Sequence, residues 1–302
     1  MPEVIEVLKY ADFLRTKLKN NKITEVNVIN GRYKKHADSL ENLQVLKEAL
    51  PIKVSNIETK GKFLYLQFDK PNLYLFSTLG LSGGWLYKSK EGKVQFGHLL
   101  KYIAKDQLDQ YHKEALNHCN VEIITETGTL YFYDTLSYGT MKVATTQLDL
   151  KKKLSTLGPD ISQTSTTLQV FKDQMAKVNG LKLIGNVLLN QRIVSGMGNY
   201  LRADVLWLCK MSPFRKMSDI TEKEMKFLWE NSRMLTWAKY NYNKGVKLGF
   251  IEANHAKTPE DYGREFYVYF QTTDPNGHPV KKEELYDGSN KRFIHWSPEV
   301  QN

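Results

Sequence analysis

The sequence predicts an α+β fold: one N-terminal helix, an antiparallel β-sandwich or barrel, a helical domain and a closing pair of strands. Three observations predict it. Apolar residues recur at helical spacing at the very start and again beyond residue 168; between Thr24 and Lys142 the segments are short, aromatic-rich and alternating; and roughly the last forty residues revert to strand-like runs between turns.

The first helix covers residues 3–19, where Val4, Val7, Leu8, Ala11, Leu14 and Leu18 share a face and Lys9 and Lys17 lie off it. The strands that follow are TEVNVIN, KFLYLQF, NLYLFST, VEIITE and TLYFYD, separated by Gly, Asn and Pro. KKKL at 151–154 and ISQTSTT at 161–167 read as a linker. Helices return in LQVFKDQMAKV, in Leu183 to Val194, in Tyr200 to Lys210 and in EKEMKFLWENSRMLTWA. FYVYFQTT and RFIHW then read as strands, with turns at DPNGHP and YDGSN. No internal repeat or low-complexity tract interrupts this order.

With 302 residues the chain has length for two or three domains, each with a core. Mean hydropathy is -0.48 and no run approaches the roughly 18 apolar residues of a spanning helix, which predicts a soluble protein and no membrane partner. The opening MPEVIEVLKY has no signal-peptide form. Cys119 and Cys209 are too few for a disulfide framework or a four-cysteine zinc site, and a reducing, intracellular setting is the natural expectation; nucleus, cytoplasm and viral replication site are not distinguished. The net charge of +10 and pI of about 9.2 suit a nucleic-acid binder, and the excess lies mainly in the C-terminal half.

That half contains GMGNYLRAD, Gly196 to Asp204. Two glycines ahead of a helix offer close, unhindered backbone, and free N–H groups at a helix start attract phosphate. No strand precedes the glycines and no third glycine follows at the required distance, which excludes the dinucleotide fingerprint. A helix-turn-helix corner that brings Gly196 and Gly198 to a nucleic-acid phosphate remains. Asn199 is either the N-cap of the second helix or an amide donor to that phosphate.

Four features now stand in one order: Met1-Pro2-Glu3 with Glu6; Lys62 in TKGKFLYL; NQRIVSGMGNYLRAD; and KRFIHWSPEVQ. Together with STLGLSGG and LGPD they resemble, from end to end, the Fpg/Nei family of bifunctional DNA glycosylases, and most of all its Nei-like members of eukaryotic and large-virus type. The resemblance implies an N-terminal catalytic β-sandwich domain at 1–150, a linker at 151–165, a helix-two-turn-helix domain at 166–250 and a zincless finger hairpin at 264–302. It implies excision of an oxidised base and nicking of the abasic strand by β,δ-elimination, with damaged DNA, double- or single-stranded, in the cleft between the domains. A monomer without cofactor is expected. A catalytically silent damaged-DNA binder on the same fold is the alternative, and an RNA-binding protein built on the same corner a more distant one.

The chemistry fits the residues. Once Met1 is removed, Pro2 offers a secondary amine that can form an iminium with the sugar. At pH near 7.5 an α-amino group is about a third neutral, whereas a lysine is about one part in a thousand neutral, which favours Pro2 over Lys62 as nucleophile. By resemblance Glu3 protonates the ring oxygen and later takes a proton, Glu6 orients the reacting groups unless it is half of a surface ion pair, and Lys62, Asn199 and Arg292 meet phosphates. The residues that fill the hole left by the flipped nucleotide are Leu81, Leu136 (with Ser137, where many relatives have an Arg pair) and Tyr138. A leucine cannot hydrogen-bond the orphaned base, so opposite-base discrimination weakens and a preference for single-stranded DNA becomes plausible.

Two further departures matter. Residues 264–302 hold no cysteine, and His278 and His295 alone make a poor zinc site, so the finger is expected to be held by strand pairing and by Tyr267, Tyr269, Phe293 and Trp296. Relatives commonly begin Pro-Glu-Gly-Pro-Glu; here Val4 and Ile5 should merely lengthen the helix start. The base pocket around Ile251 to Tyr262 is too irregular to read.

Overall fold

The computed structural model describes residues 2–35, 40–97, 108–241 and 266–302. Met1, the Ile251 to Tyr262 region and the margins 242–250 and 264–265 of the two expected C-terminal domains lie outside the described residues. The chain forms two compact units, Met1–Pro2 with Glu6–Ser155 and Glu3–Ile5 with Thr156–Asn302. Among the described residues no helix is long and apolar enough to cross a membrane.

The chain enters through α1 (Val4–Leu18), followed by β1 (Lys22–Val28) and the short α2 (Arg32–Lys35) and α3 (Leu43–Glu48). Next come β2 (Ile52–Lys60), β3 (Phe63–Phe68), β4 (Tyr74–Thr78), β5 (Gly83–Ser89) and β6 (Val94–Phe96). The first unit closes with α4 (Leu108–Asn117), β7 (Cys119–Thr125), β8 (Gly128–Asp134), β9 (Thr140–Ala144) and α5 (Gln147–Ser155). The strands form one antiparallel sheet in the order β6-β5-β8-β7-β1-β2-β3-β4-β9. It is joined in the middle by a β1–β2 ladder of only two pairs, Lys22↔Lys53 and Ile23↔Ile52, so each half can turn its apolar face inward. One core spans both halves, in which Val7, Ala11 and Leu14 of α1 pack with Leu64, Trp85, Val121 and Phe132. Apart from Ala11, each of these side chains contributes on the order of 2 kcal/mol by leaving water.

The second unit contains α6 (Leu168–Met175), α7 (Ile184–Val187), α8 (Asn199–Leu208), α9 (Glu222–Asn241) and the hairpin β10 (Lys281–Asp287) with β11 (Asn290–Trp296). Thr167 caps α6 by accepting from the Val170 amide. The hairpin runs in register from Lys281↔Trp296 to Asp287↔Asn290, around a turn whose Gly288 has φ +59°. Its inner residues Leu285 and Ile294 pack with Ala203 and Val268.

Several expectations from sequence need correction. KKKL at 151–154 is the end of α5, anchored by buried Leu150, and not linker. Lys60 Nζ donates to the Leu154 carbonyl at the end of this helix. The helix expected from Leu183 to Val194 stops at Val187; beyond it the amides of Leu189 and Asn190 bond three residues back, in tighter turns. The strand expected in FYVYFQTT does not form: the amides of Tyr267, Val268 and Tyr269 all donate to the buried carboxylate of Asp204, at 3.1, 3.0 and 3.2 Å, which removes them from any ladder. KKEELYD, a charged segment without strand-like alternation, pairs with β11 instead. Phe293 lies outside the hairpin core, exposed beneath the ammonium groups of Lys282 and Lys291. The six-residue α3 and the ten-residue α4 interrupt the region expected to be all strand, α3 being too short to impose a period.

Candidate active site

The corner at Gly196–Gly198 is built from three sides of the second unit. From within, Gln191 accepts from the Gly196 amide at 2.9 Å and donates to the carbonyls of Leu189 and Met197. From the LGPD motif, the Gly158 carbonyl accepts from Ser195 Oγ, and the Pro159 carbonyl from the Ser195 amide. From the N-terminus, the Val4 amide donates to the Gly196 carbonyl at 3.1 Å, and Val4 is wholly buried. Val4 therefore does more than lengthen a helix; it packs beneath the corner.

The two glycines answer different needs. Gly196 has φ +106°, a region that other residues rarely adopt, while Gly198 is extended and needs space. A Cβ on Gly198 would sit 2.3 Å from Cδ of Glu3. The carboxylate there accepts from the amides of Gly198 (2.8 Å), Tyr200 (2.9 Å) and Leu201 (3.3 Å), and Glu3 is fully buried. The backbone donors expected to meet a phosphate are thus engaged by an acid of the chain itself, which caps α8 from 195 residues away.

Asn199 is correspondingly not the N-cap, a position that Gly198 occupies. It is the first residue of α8, and its Oδ1 accepts from Arg202 Nη2 at 3.3 Å. The Arg202 guanidinium is fully buried and also donates to the carbonyls of Gly185 (2.8 Å) and Phe293 (2.7 Å). Burial pushes its pKa down to about 10, with the charge of nearby Arg292 adding to the effect and Glu3 opposing it. Arg292 itself lies exposed on β11, opposite Leu285 in the hairpin.

In the first unit, Pro2 is half-buried and stands outside α1, two residues before the helix begins. Glu6 on α1 is buried, not on the surface face of the helix. Lys62 is half-buried in the two-residue Gly61–Lys62 turn between β2 and β3. Leu81, Leu136 and Tyr138 are 43%, 58% and 61% exposed, high values for residues of their size. They sit on the β4–β5 and β8–β9 loops, which one buried carboxylate ties together. Asp134 accepts from Ser82 Oγ and from the amides of Leu136 and Gly139, and Ser82 Oγ in turn accepts from the Leu136 amide. A Cβ on Gly80 would meet the Tyr138 and Gly139 backbone at 2.5 Å, so the two loop tips touch.

Family models match the whole of this arrangement in three consecutive parts. The formamidopyrimidine-DNA glycosylase N-terminal domain matches residues 1–141, its H2TH domain residues 157–238 and its C-terminal domain residues 257–302. The chain belongs to the formamidopyrimidine-DNA glycosylase family. A relative of that name from Oceanobacillus iheyensis is 27% identical over 91% of this chain and 89% of its own. Another, from Ligilactobacillus salivarius, is 27% identical over 76% of this chain and 74% of its own. The fold matches that of Lactococcus lactis Fpg bound to DNA containing an abasic site, with a TM-score of 0.73 at 19% identity over 99% of each chain. It likewise matches MutM bound to DNA containing carbocyclic 8-oxo-G, with a TM-score of 0.75 at 20% identity over the full length of both.

Within this family the C-terminal hairpin invites a test for zinc, and the described residues do not fit one. His278 is bonded to Asp274, whose carboxylate also accepts from Trp207 Nε1 and the Asn276 amide, and His295 is half-enclosed by the rings of Tyr269 and Phe270. Among the described residues no three potential metal ligands gather. Burial pushes the thiols of Cys119 and Cys209 up to about 12, a state unsuited to ligation or nucleophilic attack. Four residues that hold the corner, the loops and the 267–269 segment carry no motif of their own: Gln191, Arg202, Asp204 and Asp134. For Arg202 and Asp204 a signal existed, since both interrupt the apolar run YLRADVLW at positions a buried helix would fill with hydrocarbon.

Proposed function

We propose that this chain excises oxidised bases from DNA and nicks the resulting abasic strand, with the Pro2 amine as nucleophile. The observation that carries this reading is the fixed position of Glu3: a buried carboxylate seated on the α8 amides holds the peptide unit next to Pro2 in place. Family membership supplies the activity class. The Pro2 nitrogen attacks the sugar carbon as the damaged base departs with the bonding electrons, ring opening gives an iminium, and β,δ-elimination then severs the strand before hydrolysis frees the amine.

With three N–H groups donating to it, the Glu3 carboxylate is suited to the charge-stabilising part of its expected role, facing the cationic iminium, and any proton it takes up must compete with those bonds. Lys62, Asn199 and Arg292 are assigned to phosphates. Leu81, Leu136 and Tyr138 replace the flipped nucleotide, and since Leu136 offers no hydrogen bond, discrimination against the opposite base is weak and unpaired DNA is a substrate.

Borohydride reduction tests the nucleophile. The Met-processed chain should become covalently linked to an oligonucleotide carrying an oxidised pyrimidine, and a chain whose Pro2 nitrogen is blocked should not. Strand scission that survives the block would overturn the proposal.

A further inference from the structure

We propose that Arg202 is the positioning residue of the DNA-backbone grip: one buried guanidinium orients the Asn199 amide and fixes the strand that carries Arg292. This rests on the reading that both residues meet phosphate.

The placement of Arg202 is unusual in its chemistry. Its three hydrogen-bond acceptors are the Gly185 carbonyl, the Phe293 carbonyl and Asn199 Oδ1, all uncharged. Its Nε meets no partner among the described residues. A cation buried without a carboxylate in hydrogen-bond contact is unfavourable, and a neutral side chain could bridge two carbonyls with less penalty. What a neutral group or a lysine cannot do is hold acceptors on α7, α8 and β11 in the plane of one rigid fork.

Each of the three bonds has a consequence for the surface. Arginine only donates, so the Asn199 amide must turn its oxygen toward Arg202. Both N–H bonds of that amide are thereby free to be presented to an acceptor outside the helix, the orientation a phosphate requires. The bond to the Phe293 carbonyl pins β11 at the residue after Arg292, which sets where the exposed guanidinium emerges. The bond to Gly185 ties both to α7. Arg292 is close enough for the two positive charges to interact, so an arriving phosphate also relieves their repulsion.

The test uses the full chain and a duplex bearing a tetrahydrofuran abasic analogue. Asn199→Leu and Arg292→Ala alone should each weaken binding about tenfold, and Arg292→Ala, which removes a charge, should also flatten the salt dependence by about one phosphate contact. Arg202→Met should weaken binding by more than either, with the larger share of the loss on lesion-bearing substrate appearing in KM. The decisive measurement is the double variant: in the Arg202→Met background, Asn199→Leu should add less than about twofold, because the amide is no longer aimed. If the two losses multiply, Arg202 does not act through Asn199 and the proposal is overturned. Should Arg202→Met fail to fold, Arg202→Lys serves instead, since one ammonium keeps the charge without the fork. It should likewise abolish the effect of Asn199→Leu, and wild-type affinity and coupling in Arg202→Lys would overturn the inference. If Asn199→Leu and Arg292→Ala have no effect in the parent chain, the phosphate reading itself has failed and takes this inference with it.

Discussion

The glycine corner and the paired loops at Leu81 and Leu136 use the same device and present opposite surfaces. In each, a buried carboxylate collects backbone amides: Glu3 those of Gly198, Tyr200 and Leu201, and Asp134 those of Leu136 and Gly139. At the corner the acid arrives from the other end of the sequence and engages the donors, which under the proposed function leaves ligand contact to side chains such as Asn199. At the loops the acid is local, and bonding its own turn lets three apolar side chains stand in water. A buried carboxylate can therefore either close a backbone site or hold an unfavourable exposure in place; which one depends on what lies beside the amides.

The sharpest way to break this comparison is Gly198→Ala. With 2.3 Å between the new Cβ and Glu3 Cδ, the corner and the acid cannot both keep their positions. We expect about 3 kcal/mol of lost stability in denaturant unfolding and scission of an abasic oligonucleotide reduced by at least about 100-fold. Glu3→Gln keeps the volume but turns an N–H toward three amides. It should destabilise by about 2 kcal/mol and slow scission by about 100-fold. Scission at the parent rate would show that Glu3 is a cap and nothing more.

Asp134→Asn probes the other member of the pair. Stability should fall by about 1–2 kcal/mol, and base excision from duplex should fall about tenfold, with a smaller loss on single strands, where no stack must be filled. Equal losses on both substrates would remove the loops from the opening step.

The smallest effect comes from the same device at the surface. Thr221 and Glu224 form a capping box on α9: the Thr221 amide donates to Glu224 and the Glu224 amide to Thr221 Oγ1. The bond from Arg215 holds the Glu224 carboxyl down to about 2. Because the folded pKa lies below the unfolded value, the contribution is complete above an unfolded pKa of about 4.3 and is lost as pH falls through about 2. Glu224→Gln should therefore lower stability by about 1 kcal/mol at pH 7, and the difference from the parent chain should shrink toward pH 2.

Much of the fold was legible because it follows from periodicity. The α1 stripe and the alternating segments that became β3, β4 and β8 are local patterns, and burial follows them. FYVYF misled because its alternation is that of a strand, while its amides are claimed by Asp204, 63 residues earlier. The glycine corner was legible as a place of close approach but not in what approaches it. The phosphate expectation follows from the chemistry of free amides, and the sequence around residue 198 does not reveal that Glu3 supplies the anion. Asp134 and Gln191 escaped for the same reason: most of their partners are backbone atoms, which leave no mark in residue type.

The reach of Glu3 across 195 residues also has a meaning in time. A ribosome adding about 5–20 residues per second delivers Gly198 roughly 10–40 s after Glu3. Throughout that interval the amine of a growing chain has no anchored acid beside it, so under the proposed mechanism competence for strand cutting arises only when synthesis of the helical region is well advanced.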